Sequence, residues 1–417
     1  MTYSSAHTYL LSAILLTAAC ATGASAQTAQ PAAPSTPPAV AAPAAAPPAL
    51  VPLPFPDAVL KAATDLFAKA NLPAGDGRLD IVIDPLIDGI SGAQSAATRE
   101  IGQRLGAFLK AKEPRFDVQP FNTASVAKSP YLLIGTFTAI NTANQPAGPK
   151  DAYRFCLALA DLKSGKVVGK GVARAKPEGI DVNPTAAFND AAMWIKDPTI
   201  DGYVKTCQAT KLGDNIDQVY FAGINTAAAV SDAVLAYDGG RYADALKFYT
   251  AASTAPGGEQ LRVLNGLYLT NWKLNKKKEA ADAFSRLVDY GMKSERLAMK
   301  FLFTPGSTQF IKTAAVSAPY PLWLQLIAER SDKASACLEV VGHTSATGLA
   351  PLNLRLSAAR AEYVVERLAL AVPKQRTRMI AAGVGSKEML IGTGRDNASD
   401  ALDRRVEFKV IKCGNAA

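Results

Sequence analysis

The chain has 417 residues, 49 % of them hydrophobic and 19 % charged, enough for two or three ordinary domains built around real cores. Its formal net charge is +9. The lysines and arginines are scattered and not gathered in one arm, so no nucleic-acid partner is expected, whereas an anionic polymer would suit this charge.

Residues 1–26 read as a signal peptide. The apolar run YLLSAILLTAACA is too short to span a bilayer comfortably, and Ala24-Ser25-Ala26 before Gln27 fits the small-x-small cleavage rule. Cys20 in LTAAC offers a second reading, lipidation and outer-membrane association, although Thr17 stands where that signal prefers an aliphatic residue. Soluble export to the periplasm is the favoured reading, and no later segment is apolar enough to be transmembrane.

Cleavage at Ala26 leaves four cysteines, Cys156, Cys207, Cys337 and Cys413. An even count in an exported chain suggests disulfides, and four cysteines allow three connectivities. Their grouping along the chain favours Cys156–Cys207 and Cys337–Cys413. The chain has no Cys-x-x-Cys pair, which argues against a redox enzyme or a zinc ribbon.

Residues 27–56 are almost wholly Pro, Ala and small polar residues. They cannot bury a core and lean toward polyproline II, a spacer reaching about 90 Å at ~3.1 Å per residue. Residues 57–218 alternate helix and strand, as expected of an α/β docking domain with a mixed sheet. RLDIVIDPLI (78–87) is a strand, and Ala97, Ile101, Leu105 and Leu109 mark one face of a helix over 93–111. RFDVQPF and YLLIGTFTAI (131–140) are strands, and 153–175 is a hairpin turning at Lys163-Ser164-Gly165. Tyr/Phe/Leu/Leu alternate with Arg/Cys/Ala/Ala over 153–161, which predicts one sheet face better covered than the other. Residues 187–197 are expected to be helical. The stretches IVIDPLIDGISG, YLLIGTFT and CLALADLKSGKVVGKG resemble the small α/β domain of FlgO- and LpoB-type envelope lipoproteins. That resemblance implies protein docking without catalysis.

Residues 222–295 hold a weak internal repeat. GGRYADALKFYTAAS and KKKEAADAFSRLV align Ala245 with Ala280 and Tyr249 with Phe284, about one tetratricopeptide period apart. Alanine lets two helices approach closely while the ring fills the gap to the next. Two tetratricopeptide-like repeats are fewer than the three usual for independent stability, so they are expected to lean on a neighbour. They read either as a partner-binding groove or as a structural spacer.

Residues 298–417 form the last segment. A strand followed by a Pro-Gly turn within 299–311, a helix over 320–336, and strands over 337–345, 376–386 and 404–412 surround a loop and helix spanning 341–368. This is an α+β sandwich with helices on one sheet face, completing a multidomain α+β chain. The motifs FTPGS, VVGHTSATG, NLRLSAARAEYV, AAGVGS and DRRVEF, in this order, resemble the peptidoglycan-associated domain of the OmpA family. The resemblance implies a site for the diaminopimelate of peptidoglycan peptides, formed by Thr344, Ser345, Asn353, Leu356, Arg360 and Arg405. Arg360 would clamp a carboxylate through its bidentate fork.

Spacing supports Arg360 separately, since it lies four residues from Leu356 and from Val364 on an inward stripe. An arginine there needs an anion, supplied by a ligand or by an internal acid such as Asp403 or Glu407. Asn353 is expected to cap the helix. Arg404 and Arg405 either line the same pocket or face solvent. His343, the one histidine left after cleavage, is expected to make a structural hydrogen bond.

Ser345 departs from the family, which has an aspartate there. Losing one charge-assisted bond costs roughly 1.5–3 kcal/mol, about ten- to hundred-fold in affinity. The chain carries no GxSxG elbow, P-loop or HExxH, and Cys337 and His343 do not read as a catalytic pair. No enzyme activity, cofactor or metal is therefore expected. The expected function is a non-enzymatic envelope protein holding peptidoglycan and docking an unidentified envelope protein. The alternative is an envelope scaffold or activator whose last domain no longer binds diaminopimelate.

Overall fold

The computed structural model describes residues 50–146, 150–193, 196–392, 394 and 399–414, so the expected signal peptide and most of the Pro/Ala spacer lie outside the described residues. Helix α1 (Phe55–Ala68) begins within the stretch read as spacer, with Pro56 in its first turn, where a missing N–H is tolerated. It buries Phe55, Ala58, Val59, Ala62, Ala63 and Leu66.

Strand β1 (Leu79–Ile83), α2 (Ala96–Lys112), β2 (Phe116–Gln119), the single turn α3 (Thr123–Val126), β3 (Tyr131–Ile140), β4 (Ala152–Asp161) and β5 (Lys166–Ala175) follow. They build a sheet of order β2-β1-β3-β4-β5, with β1 parallel to β2 and β3, and β4 antiparallel to both neighbours. The four apolar positions of α2 are all buried, and Ser95 with Thr98 closes a capping box at its start.

The expected imbalance between the two faces of β4 is corrected by the structure: both are covered. Phe155, Leu157 and Leu159 pack with α1 and α2. Cys156, Ala158 and Ala160 face a second core that includes Ile200, Tyr203 and Tyr220. These residues are small because α5 (Pro198–Gln208) lies close above them, near enough for Cys156 to join Cys207 across 6.0 Å between Cα atoms.

The helix expected over 187–197 stops after one turn, α4 (Ala186–Asp190). The next backbone groups bond elsewhere. Ala192 and Met193 donate to Asn265 Oδ1, and Met193 bridges to Met299. The short α6 (Gln218–Ala222) then leads into α7 (Ile224–Asp238), α8 (Tyr242–Thr254), α9 (Leu261–Lys273) and α10 (Lys277–Lys293). Ala245, Tyr249, Ala280 and Phe284 are buried between these helices. A Cβ on Gly266 would overlap the Tyr249 ring, so this glycine seats the ring against α9.

The last layer contains β6 (Arg296–Met299), the turn α11 (Ala314–Ser317), α12 (Tyr320–Lys333), β7 (Cys337–His343), α13 (Ala350–Ala371), β8 (Met379–Gly385) and β9 (Val406–Ile411), in sheet order β6-β9-β7-β8. The strand expected ahead of the Pro-Gly turn in 299–311 is displaced: pairing with β9 ends at Met299, and 303–310 folds back around that turn through a Phe303–Phe310 bridge. Lys300 N–H donates to Ala192 O instead of extending the ladder.

The helices and this sheet share one core, which joins Tyr268 and Phe284 to Trp323, Phe301, Val340, Val364 and Phe408. Trp323 stacks on Phe284 at 5.7 Å and donates Nε1–H to Tyr268 Oη at 2.7 Å. No described helix is long and apolar enough to cross a membrane. The second expected disulfide, Cys337–Cys413, ties the start of β7 to the end of β9 across 76 residues. Chain-entropy arguments give such a loop about 4 kcal/mol. The double variant Cys337→Ser/Cys413→Ser is therefore expected to lose roughly that much unfolding free energy in urea titrations.

Candidate functional site

Close contact between α13 and its sheet shapes the site. A Cβ on Gly342 would overlap Ser357 O, and one on Gly383 would overlap Ala358 N. The helix thus rests directly on β7 and β8, presenting Asn353, Ser357, Arg360, Ala361 and Val364 as its buried stripe. Leu356, expected on that stripe, is only half-buried at its margin.

Asn353 is not the helix cap. Leu349 occupies that position, and Asn353 is the fourth helical residue, its N–H bonded to Leu349 O. Its side chain instead turns back on the loop, donating Nδ2–H to Thr347 O at 2.9 Å and to Ser345 O at 3.4 Å. Thr344 N–H donates to Gly385 O, and Gly385 N–H donates to Ser357 Oγ at 2.9 Å. Loop, helix and the end of β8 are therefore fastened together, bringing Thr344, Ser345 and Asn353 to one place. Ser345 is 4 % exposed, with its hydroxyl 3.1 Å from that of Thr347.

Arg360 is 3 % exposed. Neither internal acid offered as its partner fills that role. The Asp403 carboxylate accepts the N–H groups of Leu390, Ile391 and Gly392, and Glu407 pairs with Arg405. The guanidinium lies in a cradle made by the 303–307 turn. Its Nε donates to Ser307 O at 3.1 Å, an Nη reaches Thr304 O at 3.5 Å, and Cζ stands 4.9 Å above the Phe303 ring. Phe303, Thr304 and Ser307 are thus site residues that sequence reasoning had treated only as part of a family motif. Carbonyls carry no side-chain signature by which they could have been found.

Arg405 neither lines that cradle nor faces solvent. It is buried, donating Nε–H to Glu407 Oε1 at 2.7 Å and an Nη–H to Glu388 O at 3.2 Å. Arg404 is half-buried just before β9.

The hydrogen bond expected of His343 is absent among the described residues. The ring is 1 % exposed, and neither nitrogen has a hydrogen-bond partner. Its two nearest carboxylates, Glu388 and Glu407, each stand 3.9 Å away. Burial, reinforced by the Arg405 charge, pushes its pKa from 6.5 down to about 3, so the ring is packed neutral.

A folded pKa below the unfolded one makes this contribution complete above pH 6.5 and progressively lost as pH falls toward 3. At 1.36 kcal/mol per pKa unit its full size is on the order of 5 kcal/mol. Between pH 7 and pH 4, urea midpoints of the wild type are expected to fall further than those of His343→Leu, which has no ring to protonate.

No protein-family model and no curated protein matches the chain. Among solved structures, it is similar to the peptidoglycan-associated lipoprotein from Burkholderia pseudomallei, with 25 % identity, 27 % of this chain and 88 % of that chain covered, and a TM-score of 0.23. It is also similar to the cell wall anchor of the T6SS from Pseudomonas aeruginosa, with 24 % identity, 31 % and 96 % covered, and a TM-score of 0.24. The OmpA-like domain of FopA1 from Francisella tularensis is similar at 16 % identity, with 28 % and 75 % covered and a TM-score of 0.22.

Proposed function

We propose that this chain is a non-enzymatic envelope protein that holds peptidoglycan non-covalently through residues 298–417. In this reading residues 57–218 and the helices of 222–295 dock protein partners, and residues 1–26 direct export to the periplasm. The observation that carries it is the positioned Arg360. Carbonyls of the 303–307 turn orient its guanidinium, and Arg360 shares its helix stripe with Asn353, which ties that helix to the loop. A guanidinium whose plane is set in advance loses little conformational freedom when it meets a carboxylate, such as that of diaminopimelate. Thr344, Ser345, Asn353 and the margin residue Leu356 supply the rest of the site. Arg405 acts there only by supporting β9.

One observation favours a second reading, an envelope scaffold or activator that does not hold the wall. Ser345 brings no negative charge, and its hydroxyl is turned to Thr347 inside the loop. Co-sedimentation with purified sacculi separates the two. Wild type is expected to pellet, Arg360→Ala to lose at least tenfold in affinity, and Ser345→Asp to gain about ten- to hundred-fold. Wild type left in the supernatant while Ser345→Asp pellets establishes the scaffold reading instead. Equal pelleting of wild type and Arg360→Ala removes Arg360 from the site. Mass spectrometry of the mature protein is expected to find Gln27 at its N-terminus, and a lipidated Cys20 there establishes the outer-membrane variant.

A further inference from the structure

A second site lies away from α13, where the α/β layer meets α7, α8 and α9. A cleft there has a cavity volume of about 50 Å³, room for a small ligand only. Phe188, Val234 and Leu269 form apolar walls, and Asp197, Arg262 and Asn265 are polar groups in its lining.

Two of those polar groups are already committed. Asp197 accepts Ile200 N–H with one oxygen and Leu261 N–H with the other, so it serves the starts of both α5 and α9. Asn265 accepts from Ala192 and Met193 and donates to Met193 O. Arg262 differs: its Nε–H is buried with no acceptor. A buried donor on a cation is costly when left unmade, and its position in the first turn of the 13-residue α9 adds positive potential from the helix dipole. Asp84, whose carboxyl feels the Arg262 charge, already accepts the Tyr220 hydroxyl at 2.5 Å.

A guanidinium with one buried, unmatched N–H in a cleft with apolar walls suits an anion with a short hydrocarbon part. We propose that the cleft binds a small monocarboxylate, its carboxylate on Arg262 and its tail against Phe188, Val234 and Leu269. Such a ligand touches both layers, so its binding would tighten the α/β layer against the helices.

Isothermal titration of the mature protein with butyrate, benzoate and inorganic phosphate tests this. Saturable binding of at least one carboxylate is expected, weakened at least tenfold in Arg262→Met and in the cleft-filling Val234→Phe, with phosphate binding more weakly. The proposal is overturned if neither carboxylate saturates, if Arg262→Met binds as wild type does, or if phosphate binds as tightly as the carboxylates. Should Arg262→Met lose its cooperative melt, Arg262→Lys decides. Reduced but measurable affinity supports the site, and unchanged affinity overturns it. Sacculus co-sedimentation by Arg262→Met is expected to equal wild type, which keeps this test separate from the wall-binding reading.

Discussion

Trp323 joins the helical layer to the C-terminal sheet, and the architecture depends on that joint. Its ring lies parallel to Phe284 of α10, its N–H is satisfied by Tyr268 of α9, and Phe301 and Tyr320 close around it. A buried indole is stable only when its N–H finds an acceptor, and here a tyrosine of a different layer provides one. Two helix pairs are too few to bury their own apolar faces, and this aromatic group completes the core they lack. The three segments that read separately in sequence therefore meet in continuous packing.

The same economy of space governs the candidate wall site. Glycines at 342 and 383 let α13 rest on the strands with backbone touching backbone. That closeness allows Ser357 to reach Gly385 and Asn353 to reach the 345–347 loop. Polar side chains this deeply placed persist when they find partners, as Asn353 and Ser357 do. His343 does not, and burial together with the Arg405 charge holds its ring neutral and makes it sensitive to acid.

Arg360 and Arg262 illustrate two settings for a guanidinium away from bulk water. Arg360 is held by carbonyls and by the Phe303 ring, so its orientation is prepared. Arg262 sits by an apolar cleft with its Nε–H unmatched. Arg405, by contrast, has a carboxylate partner two residues on, Glu407 of the strand that follows it. Residue type alone does not separate these roles; the neighbouring acceptors do.

Periodicity alone determined much of this protein. Step-of-four apolar residues located α2, an apolar run located β3, a turn signal located the β4–β5 hairpin, and cysteine order anticipated both disulfides. These features are local, or follow from placement along the chain, so a linear reading captures them. Contacts from distant segments decided the rest. Met193 and Lys300 bonded to other layers, which ended α4 early and stopped β6 at Met299. Small residues on β4 indicated a close helix and not an open face. Leu349 took the cap and freed Asn353 to tie the loop, while the 303–307 carbonyls, and neither Asp403 nor Glu407, received Arg360. Backbone carbonyls look alike in every sequence, so the partner of a buried arginine becomes visible only when the chain folds back to offer them.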